Sequence, residues 1–401
     1  MKYRVLPLFI VIFGVLLALP ISAQDSNQTL PTVYDPAVCE GSSELDALTA
    51  DCLAMIEAFP LPPFEAIPQD RTTLSTYSFW RVGPDAVNTY DAPGGGINGQ
   101  IAAGFNYVNA IDTSVDGWLQ IEGGSWINRD NTSYNPPSFY SGVILEGWQD
   151  HPFAWVLDLS QIFVSEVPGG PSSQATGRFL RRYELVNIFD TAVDAEGWRW
   201  YMIGPNQWVK QTFVAKVQPT ERPEGVSGHW VAIDLYEQTL IAYEDDTPVF
   251  ATLIASGLPT TETNEGVFEV WARLDVDAMS GATGAPNAYA LQSVPWVMYF
   301  DDSISLHGTY WHDLFGYRQS RGCVNLTISD ARYVYQWFLE AEPQVASQSA
   351  PELTVTPSSI FNPTRGQEQT TPTATQGTGE IVNYVYVYSS GEYGGGVVRG
   401  S

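Results

Sequence analysis

Leu306-His307-Gly308-Thr309-Tyr310-Trp311-His312-Asp313-Leu314-Phe315-Gly316-Tyr317-Arg318-Gln319-Ser320-Arg321-Gly322-Cys323-Val324-Asn325-Leu326 joins a strand-like run ending in His-Gly to a Gly-Cys pair through a turn-rich loop. A free thiol is only a few per cent ionised at neutral pH, so a nucleophilic cysteine needs an imidazole or another source of positive potential beside it. His307 ends the run Ser303 to Leu306, and Cys323 precedes a short apolar run and then a helix. The intervening loop can bring imidazole and sulfur together. Gly308 and Gly322 flank the pair, and small residues let backbone approach a reacting carbonyl. The amides of Gly322 and Cys323 are candidates for an oxyanion hole, and Arg321 adds positive charge beside the thiol. Tyr299, Tyr310 and Trp311 are candidate substrate contacts, whereas His312 reads as a supporting loop residue. Zinc-type spacing is absent around His307, His312 and Cys323, so no metal is expected there, and nucleophilic chemistry by a thiol and an imidazole needs no cofactor.

Upstream of this stretch the chain reads as strands. Trp230 to Leu235, Gln238 to Tyr243, Pro248 to Ser256 and Gly266 to Ala272 are apolar runs separated by turns. Helical period appears after the cysteine, from Ser329 to Glu342. Beyond Pro343 the composition turns to Ser, Thr, Pro and Gln, a linker signature over 343–380, and Ile381 to Tyr388 is one further strand-like run in the tail 381–401.

These residues resemble the L,D-transpeptidase catalytic domain family (YkuD-type). That family's pattern is His-Gly, a spacer, Ser/Thr-His-Gly-Cys, one residue and Asn. His307-Gly308, Ser320, Gly322-Cys323 and Asn325 stand in that order, and Thr263-Asn264-Glu265-Gly266-Val267-Phe268 resembles an upstream family segment. Arg321 departs from the pattern, standing where the family most often has His. The resemblance covers about 228–342. It implies acyl transfer on peptidoglycan stem peptides: Cys323 attacks the carbonyl before a terminal D-alanine, His307 moves the proton, Ser320 and Asn325 position the donor, and an amine resolves the thioester. Water in place of the amine would give an L,D-carboxypeptidase, and loss of activity would leave a wall-binding protein.

Between the chain start and this domain lies an internal repeat. Val108-Asn109-Ala110-Ile111-Asp112-Thr113-Ser114-Val115-Asp116 followed by Gly117-Trp118 recurs as Val186-Asn187-Ile188-Phe189-Asp190-Thr191-Ala192-Val193-Asp194 followed by Gly197-Trp198. Trp126-Ile127 likewise matches Trp208-Val209. Short alternating runs broken by Asp-Gly and Pro-Gly turns predict meandering strands in both copies. The two copies, 76–135 and 150–216, resemble bacterial SH3-like modules, in which Trp118, Trp126, Trp198 and Trp208 are expected to be core aromatics. The fold expected is therefore mainly β: a β-rich catalytic domain with a late helix, preceded by two small SH3-like modules.

The first residues address location. Met1-Lys2-Tyr3-Arg4, the apolar run Val5 to Pro20 and Ile21-Ser22-Ala23 make the three-part pattern of a secretory signal peptide over 1–23, so an exported, wall-associated protein without a lasting membrane span is expected. Ser43 to Phe59 carries apolar residues at helical spacing within the segment 24–75. Three cysteines in an exported chain suggest one local disulfide, Cys39 with Cys52, and one free thiol, Cys323. A formal charge of −27 excludes nucleic acid as a partner, because its binding rests on Lys and Arg neutralising phosphates. A monomer is expected, with stem peptides as its partners.

Overall fold

The computed structural model describes residues 30–44, 47–159, 162–172, 177–282, 284–285, 287–340 and 382–391. The expected signal peptide, the linker and residues 392–401 lie outside these. Strands dominate, with one long helix late in the chain.

The downstream half is built from β1 (His229–Asp234), β2 (Thr239–Glu244), β3 (Thr247–Leu253), β4 (Gly266–Glu269), β5 (Ala272–Gly281), β6 (Tyr289–Asp301), β7 (Ile304–Thr309), β8 (Val324–Thr327), α1 (Ile328–Glu340) and β9 (Tyr384–Tyr388). One sheet runs β4-β9-β1-β2-β3 and ends on the short strand Val143–Ile144. The tail strand β9 is thus an interior strand, parallel to β1 and antiparallel to β4. Val231 and Ile233 of β1 face one core, shared with Leu306, Val324 and the helix residues Val334 and Phe338. Trp230 and Ala232 face another, shared with Phe153, Trp155, Ala215 and Val217. A strand covered on both faces reads as a continuous apolar run, which is how β1 and β2 read.

The second sheet carries β8, β7 and β6 and continues into the first repeat. β5 takes one edge of the long strand β6. The other edge pairs with β7 near Met298–Asp301 and, in parallel, with Phe105–Tyr107 at Tyr289–Leu291. The strand Phe105–Asp112 therefore joins the first repeat edge-on to this sheet. α1 begins where Thr327 Oγ1 accepts the Asp330 N–H at 3.1 Å, and it packs over β6, β7 and β8.

The two repeats share a strand order that ends in a 3₁₀ turn followed by a last strand: Arg129–Asn131 before Thr132–Tyr134, and Gln211–Phe213 before Val214–Val217. They dock differently. The first extends a sheet, while the second lays Phe153–Val156 and Val214–Val217 face-on against the β1–β3 sheet. Trp208 is fully buried, whereas Trp118, Trp126 and Trp198 are half-buried.

One local expectation needs correction. The helix expected over Ser43 to Phe59 is confined, among the described residues, to Ala50–Ala58, because Thr49 Oγ1 accepts the Cys52 N–H at 3.1 Å and caps it there. Phe59 leaves the helical conformation ahead of Pro60. Cys39 and Cys52 are joined by a disulfide, which ties this helix to the 3₁₀ turn Pro36–Cys39.

Candidate active site

β7 and β8 run parallel, with Leu306 opposite Val324 and His307 opposite Asn325. Side chains alternate across a strand, so Ser305, His307 and Thr309 share a face with Asn325 and with Cys323 two residues before it. Cys323 thus lies diagonally from His307, just ahead of β8. Both side chains line one cavity, together with Ser320, Arg321, Asn325 and Trp311 from the motif stretch. Phe105, Met279, Tyr289, Leu291, Ser303, Ile304 and Gln319 complete the lining.

His307 is almost fully buried, and its Nδ1 lies 3.3 Å from the carbonyl oxygen of Gly308. A carbonyl only accepts, so Nδ1 carries the proton and Nε2 keeps its lone pair. Burial lowers the imidazole pKa to about 4, with the Gly308 hydrogen bond working against that shift. The thiol of Cys323 is half-buried and shifted upward by burial, against hydrogen bonds from Ser305. Its sulfur lies 3.8 Å from Ser305 Oγ and 3.9 Å from the Ser303 carbonyl. A His307–Cys323 hydrogen bond is not among those of the described residues. At neutral pH the resting pair is therefore a neutral thiol beside a neutral imidazole. Catalytic hydrogen bonds are often loose without substrate and tighten in the reacting complex.

His312 sits behind this pair. Its Nδ1 accepts the Leu314 N–H at 3.1 Å, which leaves the proton on Nε2. Nε2 lies 2.8 Å from the amide of Asn325, so the amide oxygen is its proper partner; that assignment also satisfies a buried oxygen otherwise without one. Burial, then His307 and Arg182, hold His312 down at about 3. It is a neutral brace for Asn325.

Several expected roles shift. Gly322 has φ of +120°, and its N–H donates to Ser320 Oγ at 3.1 Å, so Ser320 occupies that amide and leaves the Cys323 N–H as the oxyanion candidate. Ser320 Oγ in turn donates to the Cys323 carbonyl. Gly308 is small because an added Cβ would meet Pro295 Cγ at 3.0 Å and the Ile328 Cα at 3.1 Å. The Arg321 guanidinium lies 4.6 Å over the Tyr289 ring rather than on the sulfur. Tyr310 does not line the cavity: it is fully buried, stacks on Phe79 with ring centroids 3.7 Å apart and donates its hydroxyl to the Gln292 carbonyl. Tyr299 is also outside the lining, its hydroxyl on Asp277 at 2.7 Å and its ring against Trp271. Trp311 is in the lining, 5.5 Å from the His307 ring. Ser303 and Ser305 could have been found by counting back in twos from His307. Phe105 carried no such signal, because the fold brings it from about 200 residues away.

Among the described residues, no cluster of three or more His, Cys, Asp or Glu side chains suits a metal, and no helix is long and apolar enough to cross a membrane.

Residues 228–374 match the family model described as the L,D-transpeptidase catalytic domain. Similar solved structures include an L,D-transpeptidase from Stackebrandtia nassauensis, at 25% identity over 30% of this chain and 54% of that one, with a TM-score of 0.24. A mutant L,D-transpeptidase of Enterococcus faecium shares 27% over 28% of this chain and 46% of its own, with a TM-score of 0.26. L,D-transpeptidase 3 of Mycobacterium tuberculosis shares 16% over 39% and 71%, with a TM-score of 0.26. The chain spans about half the length of the first two. No curated protein matches it.

Proposed function

We propose that the protein is an exported L,D-transpeptidase that crosslinks peptidoglycan stem peptides through a Cys323 thioester. The observation that carries this reading is a free thiol immediately before β8 and a buried imidazole on the parallel strand β7, both lining one cavity. In the mechanism this supports, the donor carbonyl enters beside Cys323, and His307 Nε2 takes the thiol proton as sulfur attacks. A neutral resting pair makes that proton transfer part of the attack, not a preceding ionisation. The Cys323 N–H steadies the oxyanion, His307 returns the proton to the departing D-alanine amine, and an amine of a second stem peptide then attacks the thioester, expelling the Cys323 sulfur as the amine proton passes through His307 to restore the thiol. Asn325, braced by His312, orients the donor. The two repeats are read as SH3-like modules over 76–135 and 150–216, fixed to the catalytic domain over 228–342.

The test is incubation of the protein with disaccharide tetrapeptide, with mass spectrometry for crosslinked dimers. Dimers are expected from the native protein and none from Cys323→Ala with unchanged thermal melting. Release of D-alanine without dimers would instead make it an L,D-carboxypeptidase, and a Cys323 inert to carbapenem and iodoacetamide in folded protein would leave a wall-binding role.

A further inference from the structure

The cavity beside Cys323 has a wall that no motif in the catalytic stretch supplies. Tyr289, at the start of β6, pairs in parallel register with Phe105 of the first repeat, so the two side chains stand next to each other on one face. Arg321 lies over the Tyr289 ring with its guanidinium 4.6 Å from the centroid. Arg81, paired in register with Tyr107, lies over the Phe105 ring at 5.8 Å. The order across the face is guanidinium, phenol, phenyl, guanidinium, starting two residues from the sulfur and ending on the first repeat. Tyr289 and Phe105 both line the cavity. Both arginines are exposed, and among the described residues neither has a carboxylate within ion-pair distance. Asp85 and Asp130 border the outer side of Arg81 without pairing to it.

Charge makes this arrangement informative. The chain has 18 Lys and Arg against 45 Asp and Glu, so its overall field repels an anion. A carboxylated substrate needs a local positive surface at the cleft. Cationic groups held over aromatic faces are pre-positioned, and they keep their outer N–H groups free for a carboxylate.

We propose that Arg321, Tyr289, Phe105 and Arg81 form an extended subsite for a carboxylate-bearing peptide, with the first repeat supplying its outer half. This rests on the stem-peptide reading above and deepens it: the first repeat selects substrate directly, through Phe105 and Arg81, instead of only holding the enzyme on the wall. The peptide backbone lies along the aromatic pair while its free carboxylates meet the guanidinium groups.

Binding is measured by calorimetry with the full chain carrying Cys323→Ala, using a carboxylated stem tetrapeptide and its amidated counterpart. The carboxylated peptide is expected to bind more tightly. Adding Arg81→Gln should weaken it about threefold to tenfold and remove the preference over the amidated form. Phe105→Ala should weaken both peptides alike. Arg71→Gln, which removes the same charge from an exposed helix start, should change neither. In turnover, Arg81→Gln should raise KM with kcat held within about twofold. Unaltered affinity and preference in Arg81→Gln overturns the subsite, as does a native-sequence cleft that binds neither peptide. Tight, carboxylate-selective binding without turnover by the native protein would instead sink the transpeptidase reading and leave the subsite standing.

Discussion

The thiol of Cys323 and the imidazole of His307 are both pushed toward their neutral forms by burial, and this sets what pH should do. Iodoacetamide reacts with thiolate, so its rate on folded protein should climb with pH past the ordinary thiol range near 8.5. The hydrogen bonds that oppose the shift come from Ser305, so Ser305→Ala should move that midpoint higher still. His307→Gln should leave the midpoint in place, because the imidazole does not set the resting thiol's ionisation. The same variant should cut acyl transfer by about 10²–10⁴, since the base is needed at the moment of attack. A large rise in the alkylation midpoint of His307→Gln would show a preformed thiolate–imidazolium pair instead. On the acid side, a protonated imidazole accepts nothing, so activity should persist as pH falls from 7 and fail only near His307's value of about 4. A loss centred near 6.5 would contradict the burial argument. That His307 and Cys323 come together in one cavity was legible in sequence because they sit within one short strand-loop-strand unit. Tyr310 and Tyr299 were misread because an aromatic beside a strand looks the same whether it faces a cleft or a core.

α1 starts against a buried carboxylate. Asp330 is fully buried, accepts the Gly142 N–H at 2.8 Å and the Thr252 hydroxyl at 2.7 Å, and burial raises its pKa to about 6. A folded-state value above the unfolded one near 3.9 means the native state holds the extra proton between pH 4 and 6. Stability from this group is present below about 4 and is lost as pH rises through about 6, a span on the order of 3 kcal/mol. Asp330→Asn keeps the acceptor for Gly142 and lets Thr252 reverse its bond. Thermal melting between pH 4 and 6.5 should therefore lose this component of its slope in the variant; an unchanged slope would place the titrating group elsewhere. Other elements were unevenly legible. β1, β2 and β3 announced themselves because both faces are buried, whereas β5 mixes exposed and half-buried positions and gave no period. β9 read as a strand, but its place between β1 and β4 depends on pairing across about 150 residues, which local pattern does not encode.

At the scale of the molecule, the repeat legible in the sequence did not disclose that its two copies are attached by different physics. The first is bound by backbone pairing and by contacts such as the Tyr107 hydroxyl donating to the Trp311 carbonyl at 3.2 Å. The second clamps the catalytic loop: Arg182 pairs with Asp313 at 2.9 Å and Tyr183 donates to the Asp313 carbonyl at 3.1 Å, one residue from His312. Arg182→Ala should cost only about 1 kcal/mol of stability, being a partly exposed pair, yet lower turnover by loosening the His312–Asn325 brace. Equal turnover in that variant would make the clamp merely structural. The second copy also covers the β1–β3 sheet, where Trp230, Tyr243, Phe153 and Trp155 meet in one core. Trp155→Ala should therefore cost about 3–5 kcal/mol although Trp155 lies outside the catalytic domain. By the same reasoning residues 228–391 expressed alone would expose Trp230, Ala232, Ile241, Tyr243 and Leu253 as a contiguous apolar face, far beyond what a soluble surface ordinarily carries. That fragment should aggregate or bind hydrophobic dye, and restoring residues 30–227 should cure both. A fragment that stays monodisperse and melts cooperatively would mean that the two layers are joined by proximity and not by a shared core.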